Sequence, residues 1–295
     1  MNLSLQPKKF INSQHTGKYV KINVPYGRKN AEIELNLHYM DEGNGEPLIL
    51  VHTIGQSLYT WRNLIPQISS QYRVIAIDLM GHGYSDKPIS ALYSIEEHAH
   101  IIRLFMDAIG IESAHFLGFS MGCAYVTELA RTNPDRVGKM LLLSPGGITS
   151  QMPLYIRMLD SVLFGGIASM LLSQKRVEEA LQQCYLDLTL VSPEIVKGYF
   201  SPLEDVETRR AVRFSAVNYD EEASFKDLRN VVNQTLILLG SDDRWHSTEY
   251  AELFQAALPN AYFSVVRNAG HLLHEEKPEK IASAIKQFVP VPIIE

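Results

Sequence analysis

With 295 residues, 46% of them hydrophobic and 20% charged, the chain can bury a large core, and disorder over most of its length is excluded. A formal net charge of −6, from 27 Lys+Arg against 33 Asp+Glu, with no long basic run, argues against a nucleic-acid-binding surface. The 2 cysteines, Cys123 and Cys184, form neither a CxxC pair nor a disulfide framework; they read as small buried hydrophobes in a reducing compartment.

The N-terminal MNLSLQPKKFINSQ lacks the apolar stretch of a signal peptide. The most apolar region, residues 161–172, is shorter than the ~20 residues that a bilayer span takes. A cytoplasmic protein without stable membrane insertion is the expectation. Residues 19–25 and 33–40 alternate apolar and polar side chains and predict antiparallel edge strands joined by the turn-rich GRKN. From Pro47 the pattern changes. LILVH (48–52), RVIAIDL (73–79), AHFLGFS (114–120) and KMLLLS (139–144) are nearly continuous apolar runs, as in strands buried on both faces of a parallel sheet. Helical spacing covers 57–69, 94–109 and 121–133, and Ser94 with Glu97 forms a capping box.

The alternation stops after Ser144. Residues 145–229 show helical patterning and no buried strand. It resumes with TLILLG (235–240), a helix over 247–258, AYFSVV (261–266) and a last helix over 277–288. One α/β domain with a helical insertion is predicted: a core of 1–145 and 230–295, and a cap of 146–229.

Gly118-Phe119-Ser120-Met121-Gly122 stands where a buried strand meets a helix. The GxSxG pattern alone recurs in roughly one chain in ten at ordinary Gly and Ser usage, so its position carries the argument. A serine on a sharp strand-to-helix turn is held clear of the sheet, and the helix N-terminus faces developing negative charge. A plain helix N-cap serine is the alternative. A serine hydroxyl needs a base. His271, in the loop between the last strand and the last helix, is the candidate, because Gly270 permits a sharp turn that aims it over the sheet; His274 is its rival. A carboxylate must hold that base, and Asp242 or Asp243, directly after a buried strand, can supply it. The order Ser, Asp, His is that of nucleophile-elbow hydrolases.

These residues resemble the α/β-hydrolase superfamily, in its cap-bearing branch, over nearly the whole chain. The run Asp78-Leu-Met-Gly-His-Gly-Tyr-Ser-Asp86 is similar to the family's DxxGxGxSD loop. Gly240-Ser-Asp-Asp243 is similar to its GxxD motif, which selects Asp243, and Ala269-Gly-His271 to its GH motif, which selects His271. The resemblance implies a mostly parallel sheet flanked by helices, a Ser120–His271–Asp243 triad, and an oxyanion hole from the N–H groups of Met121 and Ile54. Thr53 departs from the family's glycine. A β-branched residue disfavours positive φ, so the loop is expected to differ or the Thr53 hydroxyl to donate a hydrogen bond itself.

The implied activity is that of a serine hydrolase, carboxylesterase-like, acting on an ester-like bond (carboxylester, lactone or thioester) of a small to medium hydrophobic molecule. A carbon–carbon hydrolase, or a triad-bearing receptor or non-hydrolytic biosynthetic protein, is the alternative. Thr53, Trp245, Tyr155 and Met158, with Phe164, are candidate pocket residues. No cofactor or metal is expected, since His82, His98, His100 and His115 make no convincing ligand set. A small-molecule substrate is the expected partner, with no nucleic acid, and the chain is expected as monomer or homodimer. Glu275-Glu276-Lys277 reads as a solvated helix start.

Overall fold

The computed structural model describes residues 17–26, 31–159, 161, 163–220, 222, 225 and 227–290; the N-terminal segment and the GRKN turn lie outside the described residues. The apolar runs pair into one eight-stranded sheet in the order β1-β2-β4-β3-β5-β6-β7-β8. The strands are β1 Lys18–Tyr26, β2 Ala31–Glu42, β3 Glu46–Val51, β4 Tyr72–Ile77, β5 Ala114–Phe119, β6 Val137–Leu143, β7 Thr235–Gly240 and β8 Ala261–Val266. β1 and β2 are antiparallel, β2 meets β4 antiparallel, and every pairing from β4 onward is parallel. The fold is that of an α/β hydrolase, as the resemblance implied.

Alternate side chains of a strand face opposite ways, and here both ways are core. Ile49 and Val51 of β3 enter a cluster with α2 (Ile95–Ala108) and α3 (Gly122–Thr132), while Leu48 and Leu50 enter another with α1 (Ile65–Ile68). The single helix expected over 57–69 is instead a 3-10 turn, Leu58–Trp61, followed by α1. Pro66 explains the break: it has no N–H to give, and its ring clashes with the carbonyl one turn back, so a helix begins there and cannot run through.

Between β6 and β7 come α4 (Leu154–Arg157), α5 (Gly165–Met170), α6 (Gln174–Cys184), α7 (Pro193–Phe200) and α8 (Val206–Val217), with no strand among the described residues. This segment has its own apolar cluster, including Leu159, Ala168, Leu203 and Val212, while Leu181, Cys184 and Tyr199 join the core of the sheet. The chain closes with α9 (Thr248–Ala257), α10 (Leu273–Glu276) and α11 (Pro278–Phe288). Among the described residues no helix is long and apolar enough to cross a membrane.

Histidines are buried through this core. Burial pushes the pKa of His98 down to about 3, of His246 to about 4 and of His274 to about 3. The unfolded chain protonates these rings near 6.5, whereas the folded chain keeps them neutral. Stability is therefore unaffected above that pH and falls as acid is added below it, by about 1.4 kcal/mol per pH unit for each ring. Urea unfolding at pH 7 and pH 5 should show a sharply lower midpoint at pH 5; equal midpoints would mean that the rings protonate without leaving the folded state.

Candidate active site

β5 carries Ser120 to the C-terminal edge of the sheet. Ser120 has φ +51°, a left-handed backbone that costs a non-glycine residue about 1–2 kcal/mol. Two hydrogen bonds hold it there. Its N–H donates to Leu143 O on β6 (2.9 Å), and its carbonyl accepts Cys123 N–H (3.0 Å) as α3 begins. Gly122 is required by contact: a Cβ there would stand 2.6 Å from His52 O, so only glycine lets α3 lie against the end of β3.

Asp243 lies three residues past β7 with its side chain fully buried. One oxygen accepts the N–H groups of Trp245 (2.9 Å) and His246 (3.1 Å), and the other accepts His271 Nδ1–H (2.9 Å). Burial raises the pKa of this carboxyl, but His271 beside it outweighs burial and holds it well below the usual carboxylate range. With the proton on Nδ1, Nε2 of His271 keeps its lone pair, and it makes no hydrogen bond among the described residues. The rivals lie elsewhere. Asp242 is exposed and accepts from the Ser241 hydroxyl (2.6 Å). His274 is buried with Nε2 on Thr60 Oγ1 (2.7 Å).

The loop that carries His271 turns for a different reason than expected. Asn268, not Gly270, takes the left-handed backbone (φ +57°). Gly270 is needed because a Cβ would run into Cys184 O and Leu186 N. Asp243, His246 and His271 offer donor atoms within 4.8 Å of one another. The carboxylate already accepts three N–H groups, so these residues read as a hydrogen-bonded set rather than a metal centre.

His52 Nε2 accepts Leu79 N–H (3.0 Å), which leaves its Nδ1–H to donate to Thr53 O (2.7 Å). Gln56 N–H donates to the same carbonyl (3.3 Å), closing a turn with Gly55 at φ +71°. Since the peptide is planar and trans, Ile54 N–H points the opposite way. Thr53 is not among the positive-φ residues, so its β-branch is accommodated without strain. Its Oγ1 accepts Met121 N–H (3.2 Å).

The run 78–86 acts as a clasp. Asp78 accepts Leu58 N–H (2.7 Å), Tyr84 N–H (2.9 Å) and His38 Nδ1–H (2.7 Å), and Asp86 accepts Asn36 N–H (2.7 Å). It ties the loop after β4 to β2 and to the loop after β3.

One cavity of about 130 Å³, mostly apolar, is lined by Ser120, His271, Met121 and Ile54, and by Thr53, Trp245 and Tyr155 of the predicted pocket. Two expected pocket residues lie elsewhere. Met158, at the end of α4, packs into the Leu159–Ala168 cluster, and its neighbour Leu159 lines the cavity instead. Phe164 is about half exposed at the start of α5. Leu181, Cys184 and Tyr199 also line the cavity; no local motif marks them.

Glu275 and Glu276 overturn the expectation of a solvated helix start, for both are buried. Glu275 pairs with Arg62 and accepts from the Tyr185 and Tyr199 hydroxyls and from Thr60 (2.9 Å). Burial raises the pKa of its carboxyl, and Arg62 more than offsets this. Glu276 accepts the N–H groups of Gly270 (2.6 Å), Leu186 (2.9 Å) and Asp187 (2.9 Å).

Comparison with known proteins agrees with this fold. Residues 46–174 match the family model for the alpha/beta hydrolase fold. A 2-hydroxy-6-oxo-6-phenylhexa-2,4-dienoate hydrolase of Burkholderia cepacia is 28% identical over 275 residues, covering 88% of this chain and 92% of that protein. A meta-cleavage product hydrolase from Pseudomonas fluorescens is similar in structure, with TM-score 0.73, 25% identity, and 86% and 94% of the two chains covered. A thermophilic esterase from Thermogutta terrifontis shares the fold at TM-score 0.77, 23% identity, and 92% and 98% coverage.

The Glu275 network yields a stability prediction. Arg62→Ala strands a buried carboxylate and should cost about 3–5 kcal/mol in urea unfolding. Arg103→Ala, which breaks the surface pair with Asp107 (2.9 Å), should cost less than about 1 kcal/mol. Equal effects would mean that Glu275 is hydrated once Arg62 is gone.

Proposed function

We propose that this chain, an α/β hydrolase in fold and motif, is a serine hydrolase that cleaves an ester-like bond of a small to medium hydrophobic substrate. Residues 146–229 serve as a cap over a core of 1–145 and 230–295. One observation carries the reading: His271, held through Nδ1 by Asp243 at 2.9 Å, keeps its Nε2 lone pair in the same apolar cavity that Ser120 lines.

In the proposed reaction His271 Nε2 takes the Ser120 proton as Oγ attacks the carbonyl carbon. Asp243 stabilises the imidazolium at Nδ1. The carbonyl oxygen becomes an oxyanion held by the N–H groups of Met121 and Ile54. His271 returns its proton to the leaving alcohol or thiol. Water then attacks the acyl-enzyme, its proton passing to the same Nε2. Each proton and charge in these steps is met by protein groups. Thr53 adds to the family's arrangement. Its oxygen accepts Met121 N–H, so in this reading the oxyanion shares that N–H with the threonine oxygen and gains the Thr53 hydroxyl, turned toward the cavity, as a further donor.

A second reading has specific support. The relative from Burkholderia cepacia is named for a 2-hydroxy-6-oxo-dienoate, so hydrolysis of a carbon–carbon bond next to a ketone by the same Ser120 is the alternative chemistry.

The test is hydrolysis of p-nitrophenyl esters across acyl lengths. Steady turnover is expected from the wild type, with none above background from Ser120→Ala and a loss of about 10⁴-fold in Asp243→Asn, where the amide supports the wrong tautomer. No ester turnover, with no labelling of Ser120 by a fluorophosphonate, would sink the hydrolase reading. Turnover of a 2-hydroxy-6-oxo-dienoate but of no ester would move the assignment to carbon–carbon cleavage.

For Thr53, the isosteric Thr53→Val should lower kcat/KM by about 10²–10³-fold, the effect of one lost oxyanion donor, while Thr53→Ser stays within about tenfold of wild type. A gain of activity in Thr53→Val would show that the threonine oxygen blocks Met121 N–H instead.

A further inference from the structure

We infer that Glu276 is a positioning residue for His271, through which the seating of the helical segment over the cavity is passed to the histidine. The inference rests on the proposed role of His271. Glu276 ends α10, five residues past His271, and its two carboxylate oxygens face two different parts of the chain. Oε2 accepts the N–H of Gly270 at 2.6 Å, directly before His271. Oε1 accepts the N–H groups of Leu186 and Asp187, both at 2.9 Å, directly after α6. Leu272 N–H, directly after His271, reaches back to Cys184 O (3.4 Å). His271 is thus flanked on both sides by bonds that depend on where residues 184–187 sit.

Those residues belong to the wall of the cavity. Leu181 and Cys184 of α6 line it together with His271. A substrate that presses on α6 therefore presses on a segment bonded to the histidine loop. Glu275 reinforces the same joint, tying Tyr185 and Tyr199 of the helical segment to Arg62 and Thr60 of the core. Gly270 also packs close to this segment: a Cβ there would stand 2.4 Å from Cys184 O and 2.9 Å from Leu186 N. A carboxylate is the group this position requires. It has only acceptors, and it faces only donors: three N–H groups and no carbonyl. Glutamine of the same size must turn an NH₂ toward at least one of those N–H groups.

Glu276→Gln tests this in the full chain, with the exposed Glu279→Gln as control. With p-nitrophenyl esters, kcat should fall by about 10–100-fold, the cost of a misplaced base, while KM changes by less than about threefold. In ¹H NMR without substrate, the downfield Nδ1–H signal of His271 should be present in the wild type and in Glu279→Gln, and broadened or lost in Glu276→Gln. A second pair approaches from the helical segment. Asp187→Pro deletes one N–H donor and should weaken the His271 signal, whereas Asp187→Ala, which keeps that N–H, should leave it intact. A folded Glu276→Gln with wild-type kcat and an unchanged Nδ1–H signal would overturn the inference. So would a kcat loss that only tracks the loss of folded protein, or an equal effect of both Asp187 variants. The NMR signal needs no turnover, so a wild type inactive on esters would remove the hydrolase reading while the link from Glu276 to His271 is still measured.

Discussion

Asp78, Asp243 and Glu276 each bury a carboxylate among the backbone N–H groups of a loop, and the C-terminal end of the sheet is organised around them. The constraint behind this is general. A loop that leaves a strand buried on both faces carries N–H groups that have lost their ladder partners, and burying them unpaired costs about 1–3 kcal/mol each. One carboxylate can accept several N–H bonds, and such charge-assisted bonds are stronger than neutral ones. Each acid therefore does two things at once. It satisfies a buried loop, and it places that loop to within a hydrogen bond. Asp243 shows the economy most clearly: one oxygen shapes its own loop, and the other is left to hold His271.

The strained turn at Ser120 depends on this rigidity. A left-handed serine persists only where its surroundings over-determine it. Here β6 takes its N–H, α3 takes its carbonyl, and α3 is pressed against β3 through Gly122. β3 in turn is followed directly by His52, whose ring bridges Leu79 N–H and Thr53 O. The loop after β3 and the nucleophile turn are thus parts of one bonded unit, joined directly by Met121 N–H and Thr53 Oγ1. A side chain that changes this loop changes the environment of Ser120 without touching it.

Much of this was legible in the sequence, for reasons that are local. The runs at 48–52 and 139–144 are apolar on both faces, and only a strand buried on both sides needs that. Ser120, Asp243 and His271 stand at strand ends where the chain must turn, and their motifs fix which of two neighbouring candidates is meant. The misreadings are equally physical. Glu275 and Glu276 look solvated because acidic residues in a first helical turn usually are; their partners, Arg62, Tyr185, Tyr199 and the N–H groups of 186 and 187, are distant in sequence. Gly270 suggested a sharp turn, but a glycine demanded by close approach looks the same in sequence as one demanded by φ. Met158 failed because helical spacing places a residue on a face and does not say which neighbour that face meets.

Thr53 joins the question of substrate to that of electrostatics. The cavity is apolar, so a charge that develops in it is poorly screened and must be met by groups already in place. In the proposed reaction the imidazolium is met by Asp243, whose carboxyl His271 holds ionised despite burial. In the same proposed reaction the oxyanion would meet the N–H groups of Ile54 and Met121 and the hydroxyl of Thr53, whose oxygen accepts Met121 N–H. Thr53 and Met121 are already joined at 3.2 Å, so on the proposed reading a substrate oxygen approaches beside this pair and not between its members. The residue that departs from the family's glycine therefore shapes the electrostatics of the place where, in the proposed reaction, the negative charge develops.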